Sequence, residues 1–260
     1  MPELPDLQVF RNNLEKKFGG KKLKKIDVYY SQKINVTESV LKKHLEGKKL
    51  KGITRNGKEL FFNFDKDQVL AFHLMLNGEF HFFMEASLYK NKIIELLFED
   101  KSGLLLTDRN RYANARLNPE MPDVPDAQSK EFDLHYLEAG FKKFKNKRIK
   151  DLLIEQSFVR GIGNAYVDEI LWDSGIHPAS KAGKIPAKKT KELYDSINKV
   201  LTDAVKQIIK RDPDIISGEI REFLKVHNSK LKHTPTGGTI RKEDIGSRIT
   251  YFTDEQVLYE

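Results

Sequence analysis

Leu7, Phe10, Leu14 and Phe18 recur three and four positions apart, an apolar stripe that predicts an amphipathic helix ended by Gly19-Gly20. From residue 22 the period changes. Short apolar or alternating runs at 22–29, 49–55, 59–64, 68–74, 79–84, 92–98 and 103–107 are separated by turn residues such as Asn56-Gly57, Asp65-Lys66-Asp67 and Asn77-Gly78. They predict a β-rich N-terminal domain of two packed sheets. Residues 118–126 contain three prolines and mark a linker. Helical spacing then returns over 129–140, 141–157 and 164–174. Leu193, Ile197, Leu201, Val205 and Ile208 step along one face of a long helix opened by Pro186. The pattern breaks up near residue 217, and a tail rich in Gly, Thr and Lys from 226 predicts a small β-hairpin. The fold class is therefore α+β. The expected parts are a β-sandwich at 1–120, a linker at 121–130, a helical domain at 131–225 and a hairpin at 226–260.

Composition narrows what this fold can do. The 260 residues include no cysteine, which excludes disulfides, thiolate metal sites and a cysteine nucleophile. Seven His are scattered without His-x-x-x-His spacing. No apolar run has membrane length, so a soluble cytoplasmic protein is expected. The formal charge of +8 favours an anionic polymer as partner. That charge is clustered: residues 141–150 carry six basic residues and no acid. Phe141 and Phe144 in this run are spaced to pack inward while the lysines face solvent.

Candidate chemistry begins at the first residues, M-P-E-L-P. Removal of Met1 leaves Pro2 as a free secondary amine. An α-amino group titrates at about 7.7–8.0, against about 10.4 for lysine, so roughly a tenth of it is neutral at pH 7. It is a nucleophile toward an electrophilic carbon without the burial that a catalytic lysine needs. Glu3 stands beside it as an acid or base. Four further segments carry polar groups at turns. R-N-G-K places Lys58 past a hairpin turn, where it either faces solvent or serves a site. H-L-M-L-N-G holds His73, Met75 and Leu76 before another turn, as core, strand end or site. D-R-N-R-Y puts Asn110, Arg111 and Tyr112 on a polar loop whose ring either packs or wedges into a base stack. In G-I-G-N, Asn164 stands where a helix begins, to cap it or to donate to a phosphate oxygen.

Taken in order, these segments resemble the formamidopyrimidine-DNA glycosylase and endonuclease VIII family. The resemblance rests on M-P-E-L-P, R-x-G-K, H-L-x-x-x-G, D-x-x-x-[FY] and the stretch from Gly161 through Gly175-Ile176-His177-Pro178. It implies an N-terminal β-sandwich, a helix–two-turns–helix domain and a finger hairpin. It further implies a monomer that acts on damaged double-stranded DNA without a cofactor. Pro2 would attack the sugar, Glu3 would protonate the ring oxygen and Lys58 would assist. His73, Asn164 and Arg248 would hold phosphates, and Leu76, Asn110 and Tyr112, with Arg111 between them, would fill the gap left by a flipped base.

Several positions depart from that pattern. Asp6 replaces a second glutamate, Leu76 replaces a methionine wedge, and Asn110 and Tyr112 replace an arginine and a phenylalanine. Most family fingers bind zinc through four cysteines, whereas here Thr253 and Gln256 stand at the second pair, so a zincless finger is expected. The resemblance favours oxidised purines as substrates. An oxidised-pyrimidine enzyme, a non-catalytic damaged-DNA binder and a structural RNA-binding role remain alternatives.

Overall fold

The computed structural model describes residues 1–260, which group into two compact units. Met1–Pro122 and Ile208–Glu219 form the first; Asp123–Gln207 and Ile220–Glu260 form the second. Residues 208–219, which the sequence pattern assigned to the helical domain, thus belong with the N-terminal unit.

In the first unit, helix α1 (Leu4–Phe18) precedes strand β1 (Leu23–Val28), helix α2 (Glu38–Leu45), β2 (Leu50–Asn56), β3 (Glu59–Phe64), β4 (Val69–His73), β5 (Gly78–Met84), β6 (Lys92–Phe98), β7 (Ser102–Asp108) and β8 (Asn114–Leu117). The strands form two antiparallel four-stranded sheets, ordered β1-β6-β7-β5 and β2-β3-β4-β8. Phe62 and Phe72 of one sheet and Phe80 of the other meet edge-on, with centroids 5.0 Å apart for Phe62–Phe72 and 5.4 Å for Phe72–Phe80. All four stripe residues of α1 are buried, and Phe18 stacks on Phe98 at 4.9 Å. Two elements went unseen in the sequence. In α2 only Leu41 and Leu45 are buried, too few to mark a period, although Thr37 caps the helix by accepting the Val40 N–H. β8 is a four-residue strand, Asn-Ala-Arg-Leu, with no β-branched residue.

The second unit contains α3 (Leu134–Lys143), α4 (Ile149–Ile154), α5 (Asn164–Asp173), most of α6 (Ala187–Arg211) and a hairpin of β9 (Ile240–Ile245) and β10 (Arg248–Thr253). The helical run expected over 141–157 is broken. Asp133 caps α3 through the Tyr136 N–H at 2.7 Å, and the helix ends at Lys143. Of residues 141–148 only Phe141 is buried, so no apolar stripe holds that basic stretch helical. α6 opens after Pro186, as the pattern required, and buries Leu193, Ile197, Leu201 and Ile208. No helix is long and apolar enough to cross a membrane.

Candidate active site

The chain start is built into the first turn of α1. Glu3 is the N-cap, Pro5 falls in the first turn, and the Glu3 N–H donates to Asp6 Oδ2 at 2.8 Å. The Glu3 carboxylate faces the Asp6 N–H in return, so the two acids form a reciprocal capping box. Asp6, a departure at the sequence level, thus performs a glutamate's capping work with a shorter arm. Pro2 and Glu3 are both buried. Glu219 also reaches this point, where its carboxylate pairs with the Met1 ammonium. Its segment is anchored within the same unit: the Phe80 N–H donates to Ser217 Oγ at 2.8 Å and Asn13 Nδ2 to the Ile215 carbonyl at 2.8 Å. Nothing in the sequence signalled Glu219, because more than two hundred residues separate it from the chain start.

One end of the sheet β2-β3-β4-β8 gathers the next residues. Glu59, His73 and Asn114 occupy one rung of paired strands, and Lys58 lies in the turn beside it. Lys58 is only 7% exposed, which removes the solvent-facing reading. Arg55 braces the turn: Nε donates to Gln8 of α1 at 3.0 Å and Nη1 to the Gly57 carbonyl at 3.2 Å. Gly57 has φ 60°, a conformation glycine adopts without strain. His73 Nδ1 accepts the Met75 N–H at 3.0 Å, which leaves Nε2 as the protonated, donating nitrogen of the neutral ring.

Two loops extend from the sandwich. In the turn after β4, Leu74 is buried while Leu76 is 59% exposed. After β7, the fully buried Asp108 accepts backbone N–H groups from Asn110 (2.8 Å), Tyr112 (2.9 Å) and Ala113 (2.8 Å). One carboxylate therefore shapes the loop that holds Asn110 and Arg111 exposed and Tyr112 51% exposed. Arg111 lies with its guanidinium 4.6 Å from the Tyr30 ring centre, and Lys33 sits 5.9 Å over Tyr112.

The second unit carries the remaining residues. Gly163 is the N-cap of α5 and Asn164 the first helical residue, so Asn164 does not cap the helix. Its Nδ2 donates instead to the Ile249 carbonyl at 3.0 Å, which joins the helix start to the hairpin, while its Oδ1 is buried without a partner. Arg248, next to Ile249, is exposed. Beneath the hairpin lies a network the sequence did not announce. Lys150, fully buried, donates to Asp168 Oδ1 and to Thr250 Oγ1, both at 2.7 Å. Asp168 Oδ2 accepts the Tyr251 N–H at 2.9 Å and contacts His227 Nδ1 at 2.7 Å. Burial pushes the Lys150 ammonium below its ordinary value, and Asp168 opposes that shift. Glu169 accepts the N–H groups of Lys225, Val226 and His227 at 2.7–3.1 Å, while burial pushes its carboxyl up.

A zinc ion does not fit the hairpin. No three His, Cys, Asp or Glu side chains converge anywhere in the chain. Gln256 instead takes the Thr253 N–H on Oε1 and gives Nε2 to the Ile176 carbonyl, both at 2.8 Å. On the facing loop Thr234 Oγ1 accepts the Gly238 N–H at 3.1 Å. Hydroxyl and amide groups engaged in this way are poor zinc ligands, and they already tie the two loops down.

The chain matches two family models: "Formamidopyrimidine-DNA glycosylase N-terminal domain" over residues 1–115 and "Formamidopyrimidine-DNA glycosylase H2TH domain" over residues 124–213. It is 32% identical over 280 positions to the formamidopyrimidine-DNA glycosylase of Lactobacillus acidophilus, with 100% of each chain covered. It is similar to the solved Lactococcus lactis Fpg in complex with abasic-site DNA (TM-score 0.85, 28% identity, covering 96% of this chain and 97% of that one). It is also similar to MutM in complex with DNA containing carbocyclic 8-oxo-G (TM-score 0.84, 29% identity, covering 97% and 98%).

Proposed function

This chain belongs to the formamidopyrimidine-DNA glycosylase family, and we propose that its base-excision activity is carried by the amine of Pro2 with Glu3 as its acid. The observation that carries this reading is the burial of both residues, next to each other, at the capped start of the helix against which Arg55 braces the Lys58 turn. The substrate is damaged double-stranded DNA with the target nucleotide flipped out of the stack. The neutral Pro2 nitrogen bonds to the anomeric carbon. The bond from that carbon to the base breaks, and the base leaves with the electron pair and takes up the proton that the Pro2 nitrogen sheds. Glu3 gives a proton to the ring oxygen, the sugar opens, and an iminium joins Pro2 to the chain of the sugar. The iminium acidifies the adjacent C2′ proton; its removal expels the 3′ phosphate and cuts the strand, and water then frees Pro2.

Lys58 assists the proton transfers from its buried turn. The Nε2–H of His73, the amide of Asn164 and the guanidinium of Arg248 hold phosphates, while Leu76, Asn110, Arg111 and Tyr112 fill the vacated stack. Two of these, Leu76 and Tyr112, are large apolar groups already exposed, which supports that role. The expected division of labour places chemistry in residues 1–120 and phosphate grip in 131–225 and 226–260, joined by 121–130. The chain acts as a cytoplasmic monomer, without metal. Relatives named for formamidopyrimidine, and a similar structure that binds 8-oxo-G DNA, support oxidised purines as the lesion class.

Borohydride reduction on an abasic duplex tests the nucleophile. A trapped adduct that maps to Pro2, in protein lacking Met1, is expected; an adduct on a lysine sinks the assignment. Duplexes carrying single oxidised purines or pyrimidines test the lesion class, and faster release of pyrimidines would reverse it.

A further inference from the structure

We infer that Arg148 is a second phosphate-binding arginine at the turn of the finger hairpin, alongside Arg248. This rests on the reading of the chain as a DNA glycosylase whose hairpin meets the DNA backbone. β9 and β10 are joined by Gly246 and Ser247, with Ile245 paired to Arg248 across the turn. Gly246 has φ 70°, the left-handed conformation that a two-residue hairpin turn needs. A β carbon on Gly246 would stand 2.7 Å from Nη2 of Arg148 and 3.3 Å from Oδ1 of Asp151. The guanidinium of Arg148 therefore lies directly against the bare backbone of the turn.

Its direction is set from below. Arg148 is the N-cap of α4, and its Nε donates to Asp151 Oδ2 at 2.7 Å. That bond occupies one edge of the planar group, and the side chain remains 44% exposed. A half-exposed Arg–Asp pair contributes little to stability, so the arrangement has little value as a strut. As a binding group it has more. A guanidinium held by one edge presents its outer N–H groups in the fork that matches two phosphate oxygens. Arg148 against the turn and the exposed Arg248 directly after it thus bring two guanidinium groups to one hairpin end. Further positive charge lies close in the chain fold: Lys181, whose backbone bridges to that of Arg148, is exposed. Sequence reading placed Arg148 in a solvated basic run, because its neighbour Gly246 lies about a hundred residues away.

The test is equilibrium binding of a duplex with an uncleavable tetrahydrofuran abasic site over a range of KCl concentrations. Each phosphate contact contributes about 0.9 to the slope of log affinity against log salt. Arg148→Ala should flatten the slope by about one unit and weaken damaged and undamaged duplexes alike. Arg148→Ala with Arg248→Ala should flatten it by about two. A neutral methylphosphonate, moved along the strand one phosphate at a time, should weaken the unaltered protein at a position where the Arg148→Ala protein is indifferent. An unchanged slope, or no such position, overturns the inference. So does a single variant that loses as much slope as the double, since Arg148 would then only prop the turn. If Arg148→Ala lowers the melting temperature, Arg148→Gln, which keeps a donor against the turn without the charge, takes its place in the comparison. Failure of the unaltered protein to prefer the abasic duplex would count against the glycosylase reading instead.

Discussion

The start of α1 and the finger hairpin are both short segments that must be held still, and they are held by different forces. Behind Pro2 and Glu3 stands an apolar helix face. Leu7, Phe10, Leu14 and Phe18 are all buried, each stabilising the helix by about 1.5–3 kcal/mol relative to exposure. A capping box is the local polar device. The hairpin has two strands, too few to be stable alone, and buries few large side chains, chiefly Ile245, Tyr251 and Phe252. Polar groups hold it instead: Lys150 and Asp168 beneath it, Asn164 at its edge and Gln256 at its base. Where apolar area suffices, the polar groups stay available for chemistry. Where it does not, they become the scaffold, and removing one leaves its partners buried and unsatisfied.

The largest break in that comparison should come from Asp168→Ala. It strips the buried Lys150 ammonium of its counter-charge, leaving only neutral acceptors at Thr250 and Ile249, and strands the Tyr251 N–H without its acceptor. Removing one partner of a buried pair typically costs about 3–5 kcal/mol. Urea unfolding should register that loss, with hydrogen exchange fastest in 240–253. Wild-type stability in this variant would mean that apolar packing, not the polar network, holds the hairpin.

Glu3→Gln probes the other side. The amide keeps the size and the ability to accept the Asp6 N–H but removes the proton donor. Base release from a damaged duplex should fall at least ~10²-fold, the usual scale of general acid–base catalysis. Melting temperature and duplex affinity should stay near wild type, because the α1 face and not this carboxylate anchors the segment. An unaltered rate of base release removes Glu3 from the mechanism and leaves a DNA-binding homologue as the better account.

Gln256→Ala is the intermediate case. It deletes the acceptor of the Thr253 N–H and the donor to Ile176, at a cost of about 1–3 kcal/mol for the groups left unpaired. Dialysis of the unaltered protein against a strong chelator should leave both melting temperature and activity in place. A chelator-sensitive hairpin would show that a metal, rather than this side chain, carries the load.

The smallest effect should come from a surface charge of the sandwich. Lys21 and Ser102 hold the Asp100 carboxyl down at about 2. Its folded value lies below an unfolded value of about 3.9, so its contribution is present above that pH and fades as pH falls toward about 2. Asp100 is half exposed, so Asp100→Asn should only slightly flatten the acid limb of the stability profile. A large effect would mean that the sandwich too depends on its charges.

The sequence by itself determined whatever repeats over short distances or rests on position in the chain. The α1 stripe, the alternating strands and the Pro186 start of α6 were all legible, because each depends on neighbours within a few residues. Elements too short to show a period, α2 and β8, were not. Tertiary structure alone decided which charges are buried. Lys58 reads as a turn lysine and Lys150 as one more residue of a basic run; both are enclosed. The partners that make this tolerable for Lys150 lie eighteen residues away at Asp168 and a hundred away at Thr250. Burial of a charge is permitted only when the fold supplies its counter-charge and hydrogen bonds, and no local pattern reports where the chain will bring them.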